Sequence, residues 1–312
     1  TAGVLLGSQA YGAYEQVNTP NPDDEMAVSI YKLDNGLTVY LTENHETPRF
    51  YAEIAVRAGS KQDPAESTGL AHYLEHLLFK GTTHLGTLDF EKERVYIEKI
   101  EALYQEHFNE TDPEKRKAIY AQINEASLAA AEYAVPNELD RVYKSMGGSM
   151  VNAHTWHEET VYKKHPYGTQ PTIGTVEHLK NPSLQNIGDY FDTWYVPNNM
   201  AIFLSGDIDT KATMDIIDAQ FSSWKPADLP EPKTWEEAPL DGREEVVRTY
   251  EGEEFVLLAF RTAAQDHEDG EALSLIDMIL DNASAGLINL NLNQQQRVRQ
   301  AGSNPMLLND YG

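Results

Sequence analysis

Hydrophobic and polar positions alternate with a period of two in several short stretches of the chain, a pattern typical of β-strands with one buried face. Residues 28–33 and 37–41 have this pattern and flank Asp34-Asn35-Gly36, where an Asn-Gly pair favours a tight turn. The sequence therefore predicts a β-hairpin here. Further strands are predicted at residues 51–56, 200–205 and 254–263, and an extended segment at 147–162.

A spacing of three to four residues between apolar positions predicts helices elsewhere. Leu70, Leu74, Leu77 and Leu78 recur in this way, so residues 70–79 are predicted to form a helix with one buried face. Residues 90–134 predict two helices, because Thr111-Asp112-Pro113 supplies a cap and a first-turn proline between them. Helices are also predicted within 171–194 and at 270–280. Strands that alternate with helices, together with an antiparallel hairpin, indicate an α+β fold.

Composition and charge narrow the classes of function. The 312 residues are enough for about two domains. No apolar run approaches the ~18 residues that a membrane span needs. The chain has no cysteine, so a metal ion would be held by His and carboxylate side chains. The formal charge of −26, from 50 acidic and 24 basic residues, makes nucleic acid and anionic lipid unfavourable partners.

The start of the chain differs from the rest, because residues 1–27 have no sustained periodicity. Residues 1–10 are small or apolar, which is compatible with the remnant of an export signal or with a simple tail. Of the two we favour export, so the bacterial periplasm or an exterior location is expected, with the cytoplasm as the alternative.

His72, Glu75 and His76 are the residues that carry chemistry most clearly. Positions i and i+4 share one face of a helix and i+3 lies beside them. Two imidazoles one turn apart can hold one Zn²⁺, while the carboxylate between them reaches the water that the ion activates. Chance gives roughly 0.03 such His-x-x-Glu-His triplets in a chain of this composition. The alternative is a half-exposed helix face on which the histidines pair with Glu75 in structural hydrogen bonds.

Longer strings around this triplet resemble the M16 peptidase family, which includes pitrilysin, insulin-degrading enzyme and the mitochondrial processing peptidases. The resemblance runs from residue 28 to about 301 and lies in the following strings: Gly69-Leu70-Ala71-His72-Tyr73-Leu74-Glu75-His76-Leu77-Leu78-Phe79-Lys80-Gly81-Thr82, Leu33-Asp34-Asn35-Gly36-Leu37, Ala58-Gly59-Ser60, Gly147-Gly148, Asn152-Ala153-His154-Thr155, His165-Pro166-Tyr167-Gly168, Tyr195-Val196-Pro197-Asn198-Asn199 and Gly206-Asp207. The His-x-x-Glu-His order is the inverzincin pattern of such enzymes.

The resemblance implies an architecture as well as a site. The expected fold is an M16-type, LuxS/metallohydrolase-like domain with a mostly antiparallel sheet flanked by helices. Residues 28–223 would form this zinc-binding peptidase domain, 224–243 a linker, and 244–312 the beginning of a second similar unit. Because two halves enclose a chamber in the family, a second M16-type half is an expected partner. It would come from a homodimer, a heterodimer or another part of the same polypeptide.

The chemistry implied by the resemblance is that of a zinc metalloendopeptidase with one Zn²⁺ per catalytic domain. His72 and His76 would be ligands and Glu75 the general base. Asn152, Ala153, His154 and Thr155 would form a strand whose edge binds an extended peptide substrate. Peptide bonds in extended peptides or unfolded protein segments are the expected targets. A non-catalytic relative that binds peptides or supports an active protease subunit is the alternative.

The chain departs from the family pattern at the third zinc ligand. Family members take it from a Glu on a helix between the Asn-Ala-x-Thr strand and the His-Pro-Tyr-Gly segment. Here Tyr162 and Lys163 join these two parts almost directly, so no third ligand is identifiable. Glu158, Glu159 and Glu177 are the nearest carboxylates, and none matches the ligand position. Either the 312 residues are part of a longer chain that contains these helices, or the molecule lacks them and binds zinc weakly.

Overall fold

The structure is a computed structural model that describes residues 14–21, 23–149, 152–155, 165–231, 233, 235–249 and 251–312. The chain forms two compact units, of which the first ends at Ala238 and the second runs from Pro239 to Gly312. The expectations for residues 1–13 and 156–164, which include Glu158 and Glu159, concern residues outside this description.

A five-stranded mixed sheet forms the centre of the first unit. Its strands are β1 Tyr14–Gln16, β2 Ser29–Leu33, β3 Thr38–Glu43, β4 Phe50–Val56 and β5 Met200–Gly206. The spatial order is β1-β2-β3-β5-β4. All neighbouring pairs are antiparallel except β3 and β5, which run parallel. With helices flanking this sheet, the expected α+β fold is confirmed.

The hairpin of β2 and β3 closes at the Asn-Gly turn, as the sequence predicts. Gly36 has a φ of 91°, and its N–H donates to the carbonyl of Leu33. The side-chain amide of Asn35 donates to the carbonyls of Phe221 at 2.8 Å and Trp224 at 3.1 Å. The turn therefore also holds the end of a distant helix.

Nine α-helices are present in the described residues. Their bounds are α1 Leu70–Leu78, α2 Phe90–Asn109, α3 Pro113–Ala131, α4 Glu138–Ser145, α5 Pro166–Thr169, α6 Val176–Leu179, α7 Leu184–Trp194, α8 Thr210–Phe221 and α9 Gly270–Leu280. Short 3₁₀ turns lie at Ser60–Gln62 and Pro197–Asn199, and a π-helical turn at Asn289–Asn293. None of the helices in the described part of the chain combines the length and apolar character that crossing a bilayer requires.

Two of the three apolar clusters among the described residues of the first unit hold the sheet and helix α1 in place. Val39 and Ile202 of the sheet pack with Met214 of α8 in one cluster, and both Val39 and Met214 are fully buried. Leu74 of α1 packs with Tyr190 of α7 in the other. The Tyr190 hydroxyl donates to the carbonyl of Gly59 at 2.8 Å. Since buried apolar area is the main stabilising term, these contacts fix α1 against α7.

The helical hairpin predicted for residues 90–134 is confirmed by its caps. Asp89 accepts a hydrogen bond from the N–H of Lys92 at the start of α2. Asp112 accepts from the N–H groups of Glu114 and Lys115, and Pro113 occupies the first turn of α3. Each helix thus begins where a carboxylate satisfies its unpaired N–H groups.

The prediction of a strand at residues 254–263 is wrong. These residues form no strand in the second unit, and the side chains of Phe255, Val256 and Phe260 are 73%, 86% and 79% exposed. A continuous apolar run reports β-propensity, but a strand also needs a neighbour to complete its hydrogen bonds. Thr262, near the end of this run, exchanges two backbone hydrogen bonds with Gly312, but this single pairing does not make residues 254–263 a strand. Within residues 147–162, the described segments 147–149 and 152–155 also belong to no strand.

Candidate active site

Asp63 fixes the start of the helix that carries the candidate site. Its carboxylate accepts hydrogen bonds from the N–H groups of Gly69 at 2.8 Å, Leu70 at 3.2 Å and Ala71 at 3.0 Å. These are groups that a helix cannot satisfy internally. Gly69 itself has a φ of 83°, and a Cβ there would lie 2.6 Å from the Cα of Gly174. The position therefore requires glycine.

The electrostatics of Asp63 are unusual because the side chain is buried. Burial raises its pKa to about 6, although the three N–H groups of Ala71, Gly69 and Leu70 act in the opposite direction. The sequence analysis did not single out Asp63 as a functional or structural residue. The signal available was an acidic residue ahead of an apolar helix, but the intervening loop separates it from the usual capping position.

One face of α1 brings His72, Glu75 and His76 together, while Leu70, Ala71 and Leu74 are buried on the other. The Nε2 atoms of the two histidines are 3.2 Å apart, and the ring centroids are 4.8 Å apart. His72 and Glu75 are half-buried and His76 is exposed. The arrangement therefore presents two imidazole nitrogens and a carboxylate at the surface of a helix whose position is fixed by its core contacts.

The spacing of the two imidazoles fits a shared zinc ion. Two nitrogens that each bind Zn²⁺ at 2.0–2.1 Å in a tetrahedral site are about 3.3 Å apart. The observed 3.2 Å matches this separation. In the part of the chain that the structure describes, no group of three or more His, Asp or Glu residues is placed to hold a metal ion. Glu177, one of the carboxylates considered for the third ligand, is an exposed residue of α6 and belongs to no such group among the described residues.

Glu75 has a partner from a distant part of the chain. The Thr155 hydroxyl donates a hydrogen bond to Oε2 of Glu75 at 2.6 Å. Burial and the negative charge of Glu75 raise the pKa of the Tyr195 phenol. In the segment expected to bind substrate, Asn152 and His154 are exposed, whereas Ala153 and Thr155 are half-buried. Thr155 is thus the member of that segment that a hydrogen bond joins to α1.

Two family models match the chain. Residues 38–102 match the model described as Insulinase (Peptidase family M16), and residues 183–312 match the one described as Peptidase M16 inactive domain. The first match contains the sequence of α1 and the second begins at α7. The chain belongs to the M16 peptidase family.

Individual relatives agree with this assignment. Zinc protease PqqE of Helicobacter pylori is 24% identical over 300 residues, which are 89% of this chain and 66% of that protein. The Escherichia coli protein named Probable zinc protease PqqL is 24% identical over 245 residues, which are 69% of this chain and 25% of that protein. A crystal structure of a protease from Helicobacter pylori has a TM-score of 0.60 at 18% identity, and the match covers 94% of this chain and 73% of that one.

The extent of these matches bears on function. The chain spans 66% of the length of PqqE and 25% of the length of PqqL. The activity of a whole relative therefore does not transfer to this chain by similarity alone. A solved structure of the Escherichia coli PqqL protein is described as that of a periplasmic protease, with a TM-score of 0.40, 18% identity, and coverage of 70% of this chain and 26% of that one.

Proposed function

We propose that the protein is a zinc-dependent endopeptidase that hydrolyses peptide bonds in extended peptides or unfolded protein segments. The observation that carries the proposal is the pair of Nε2 atoms of His72 and His76, which are 3.2 Å apart on the helix face that also carries Glu75. Two nitrogen ligands with a carboxylate beside them are the parts that zinc-dependent hydrolysis requires from one helix.

His72, Glu75 and His76 each have a distinct task in this proposal. His72 and His76 hold the ion through Nε2, which requires both imidazoles to be neutral. A zinc ion bound there supplies a Lewis acid for the scissile carbonyl and makes water acidic enough to react at neutral pH. Glu75 accepts the proton of the attacking water and returns it to the leaving amine. A third protein ligand completes the coordination and comes from outside the described residues.

The segment from Asn152 to Thr155 is proposed to receive the substrate. The segment adjoins Glu75 through Thr155, and its exposed residues Asn152 and His154 are accessible to a peptide. An extended peptide that pairs with its backbone would bring a scissile bond past α1. A second M16-type half, from a homodimer, a heterodimer or the same polypeptide, is proposed to close the other side of the site.

The domain division and the location of the protein are proposed in the same way. Residues 28–223 form the zinc-binding domain, 224–243 the linker, and 244–312 the beginning of a second M16-type domain. Export to the periplasm is favoured by the small and apolar residues 1–10 and by sequence relationship to Escherichia coli PqqL, whose solved structure is described as that of a periplasmic protease. A periplasmic enzyme of this type would meet unfolded segments of other exported proteins.

A non-catalytic binding subunit is the second candidate function. The match of residues 183–312 to a domain described as inactive favours it, as does the lack of a third ligand among the described residues. However, His72, Glu75 and His76 lie outside that match and inside the one to the insulinase model. A subunit that only binds peptides has no need of this triplet, so the peptidase proposal is the stronger.

The test compares the wild-type protein with Glu75→Gln in zinc content and in cleavage of an internally quenched unfolded peptide. Glu75→Gln should keep its zinc and lose at least about 10²-fold in kcat, because a general base contributes 10²–10⁴-fold. Glu66→Gln, an exposed change in the loop before α1, is the matched control and should cleave normally. Full activity of Glu75→Gln refutes the base role. Peptide binding without turnover by the zinc-loaded wild type supports the binding subunit instead.

A further inference from the structure

The hydrogen bond between Thr155 and Glu75 joins two segments 80 residues apart in sequence. At 2.6 Å it is short, as expected for a hydroxyl that donates to a carboxylate. Both side chains are half-buried, so the contact is partly shielded from water. A partly shielded, charge-assisted bond of this kind restricts the orientation of the side chain that accepts it.

The bond engages one of the two carboxylate oxygens of Glu75. Oε2 accepts from Thr155, which leaves Oε1 to interact with another group. A Glu side chain has three rotatable bonds, and fixing it costs conformational entropy. A base that is already oriented does not have to pay this cost during the reaction. Thr155 therefore provides what Glu75 alone lacks, a fixed direction for the free oxygen.

The residues from Asn152 to Thr155 fall into two groups that differ in their exposure to solvent. Asn152 and His154 are exposed, while Ala153 and Thr155 are half-buried. This alternation is that of an extended chain, whose successive side chains point to opposite sides. The exposed side is the one that a peptide can reach. Thr155 belongs to the other side, which faces Glu75.

We propose that Thr155 is a positioning residue that orients Glu75 for proton transfer, rather than a side chain that contacts the peptide. The inference rests on the proposed peptidase function and adds a residue to it. Removing the hydroxyl should slow the chemical step and leave zinc and peptide binding unchanged. Restoring a hydroxyl in a smaller side chain should restore the rate.

Three variants of the full-length protein test this proposal by kinetics. Thr155→Val removes the hydroxyl and keeps the shape, and should lower kcat about tenfold while KM changes less than about twofold. Thr155→Ser keeps a hydroxyl and should recover most of the lost rate. Thr193→Val is the control. It removes a hydrogen bond of the same length, which the Thr193 hydroxyl donates to the carbonyl of Asp189 in α7, and it should leave kcat unchanged. A Thr155→Val variant that changes KM and not kcat overturns the proposal in favour of peptide contact.

A second measurement needs neither zinc nor activity. The Tm values of Thr155→Val, Glu75→Ala and the double variant form a cycle in the metal-free protein. If the bond exists in solution, the double variant should lose on the order of 2–4 °C less than the sum of the two single losses. Additive losses overturn the proposal whatever the kinetics show. A wild type that cleaves no peptide but shows coupling refutes the peptidase function and the positioning role, while confirming the contact.

Discussion

Replacing Asp63 by Asn tests which of two opposing forces controls the start of α1. Three backbone N–H groups favour the ionised carboxylate, and burial disfavours it. Burial is the stronger and raises the pKa of Asp63 from 3.8 to about 6. An amide has the shape of the protonated acid without its ability to ionise. The variant should therefore behave like the protein with Asp63 permanently protonated.

The magnitude follows from proton linkage. A carboxyl with a raised pKa binds protons more tightly in the folded state, so its stabilising contribution is complete below about pH 4 and is lost as the pH rises through about 6. The difference between 3.8 and about 6 corresponds to about 3 kcal/mol in the free energy of unfolding. About 1.4 kcal/mol of this falls between pH 5 and pH 8. That window lies above the pI of 4.6, where net negative charge favours solubility.

Urea unfolding of the wild type and of Asp63→Asn at pH 5, 6, 7 and 8 measures this effect. The difference between the two proteins cancels the titration of the other acidic residues. Between pH 5 and pH 8, the free energy of unfolding of the variant should rise by about 1.4 kcal/mol relative to that of the wild type. Asp89→Asn changes the half-buried cap of α2, where a hydrogen bond from the Lys92 side chain lowers the pKa of Asp89. The difference in free energy of unfolding between this variant and the wild type should not vary over this range. A constant difference for Asp63→Asn, or a growing loss as the pH rises, would show that the hydrogen bonds outweigh burial.

Two further predictions concern glycine and asparagine positions of the fold. Gly69→Ala should lower the free energy of unfolding by at least about 2 kcal/mol, because alanine resists a φ of 83° and its Cβ would meet the Cα of Gly174 at 2.6 Å. Gly188→Ala in α7, where a Cβ would meet no atom within 4 Å, is its control and should raise stability by about 0.5–1 kcal/mol. Asn35→Ala should cost about 1–2 kcal/mol in urea unfolding, because two backbone carbonyls lose their donor. A neutral result for Gly69→Ala or Asn35→Ala would contradict the structural reasoning.

Much of the first unit could be predicted because its signals are local. The Asn-Gly turn, the apolar spacing of α1 and the capping aspartates of α2 and α3 each lie within a few residues of the feature they determine. Helix α8 has local signals of the same kind, but the sequence analysis did not predict it. Met214, Ile217 and Phe221 form an apolar stripe, and Asp209 accepts a hydrogen bond from the N–H of Ala212.

The remainder depended on contacts that no local pattern reports. The run from Glu254 to Phe260 resembles a strand, yet strand formation depends on a neighbour elsewhere in the chain. The hydrogen bond from Thr155 to Glu75 spans 80 residues. The triplet on α1 was predictable from the sequence as a candidate site, whereas the partner that orients Glu75 required the tertiary structure.

The parallel pairing of β3 with β5 has a consequence for the order of events during synthesis. Strand β5 lies between β3 and β4 in the sheet, yet roughly 140 residues separate it from β4 along the chain. At 5–20 residues per second, a ribosome needs about 7–30 s to make that stretch. During this interval the facing edges of β3 and β4 have no partner, and α1 has no α7 to pack against. The nascent chain therefore completes the packing around α1 late, after most of the first unit has emerged.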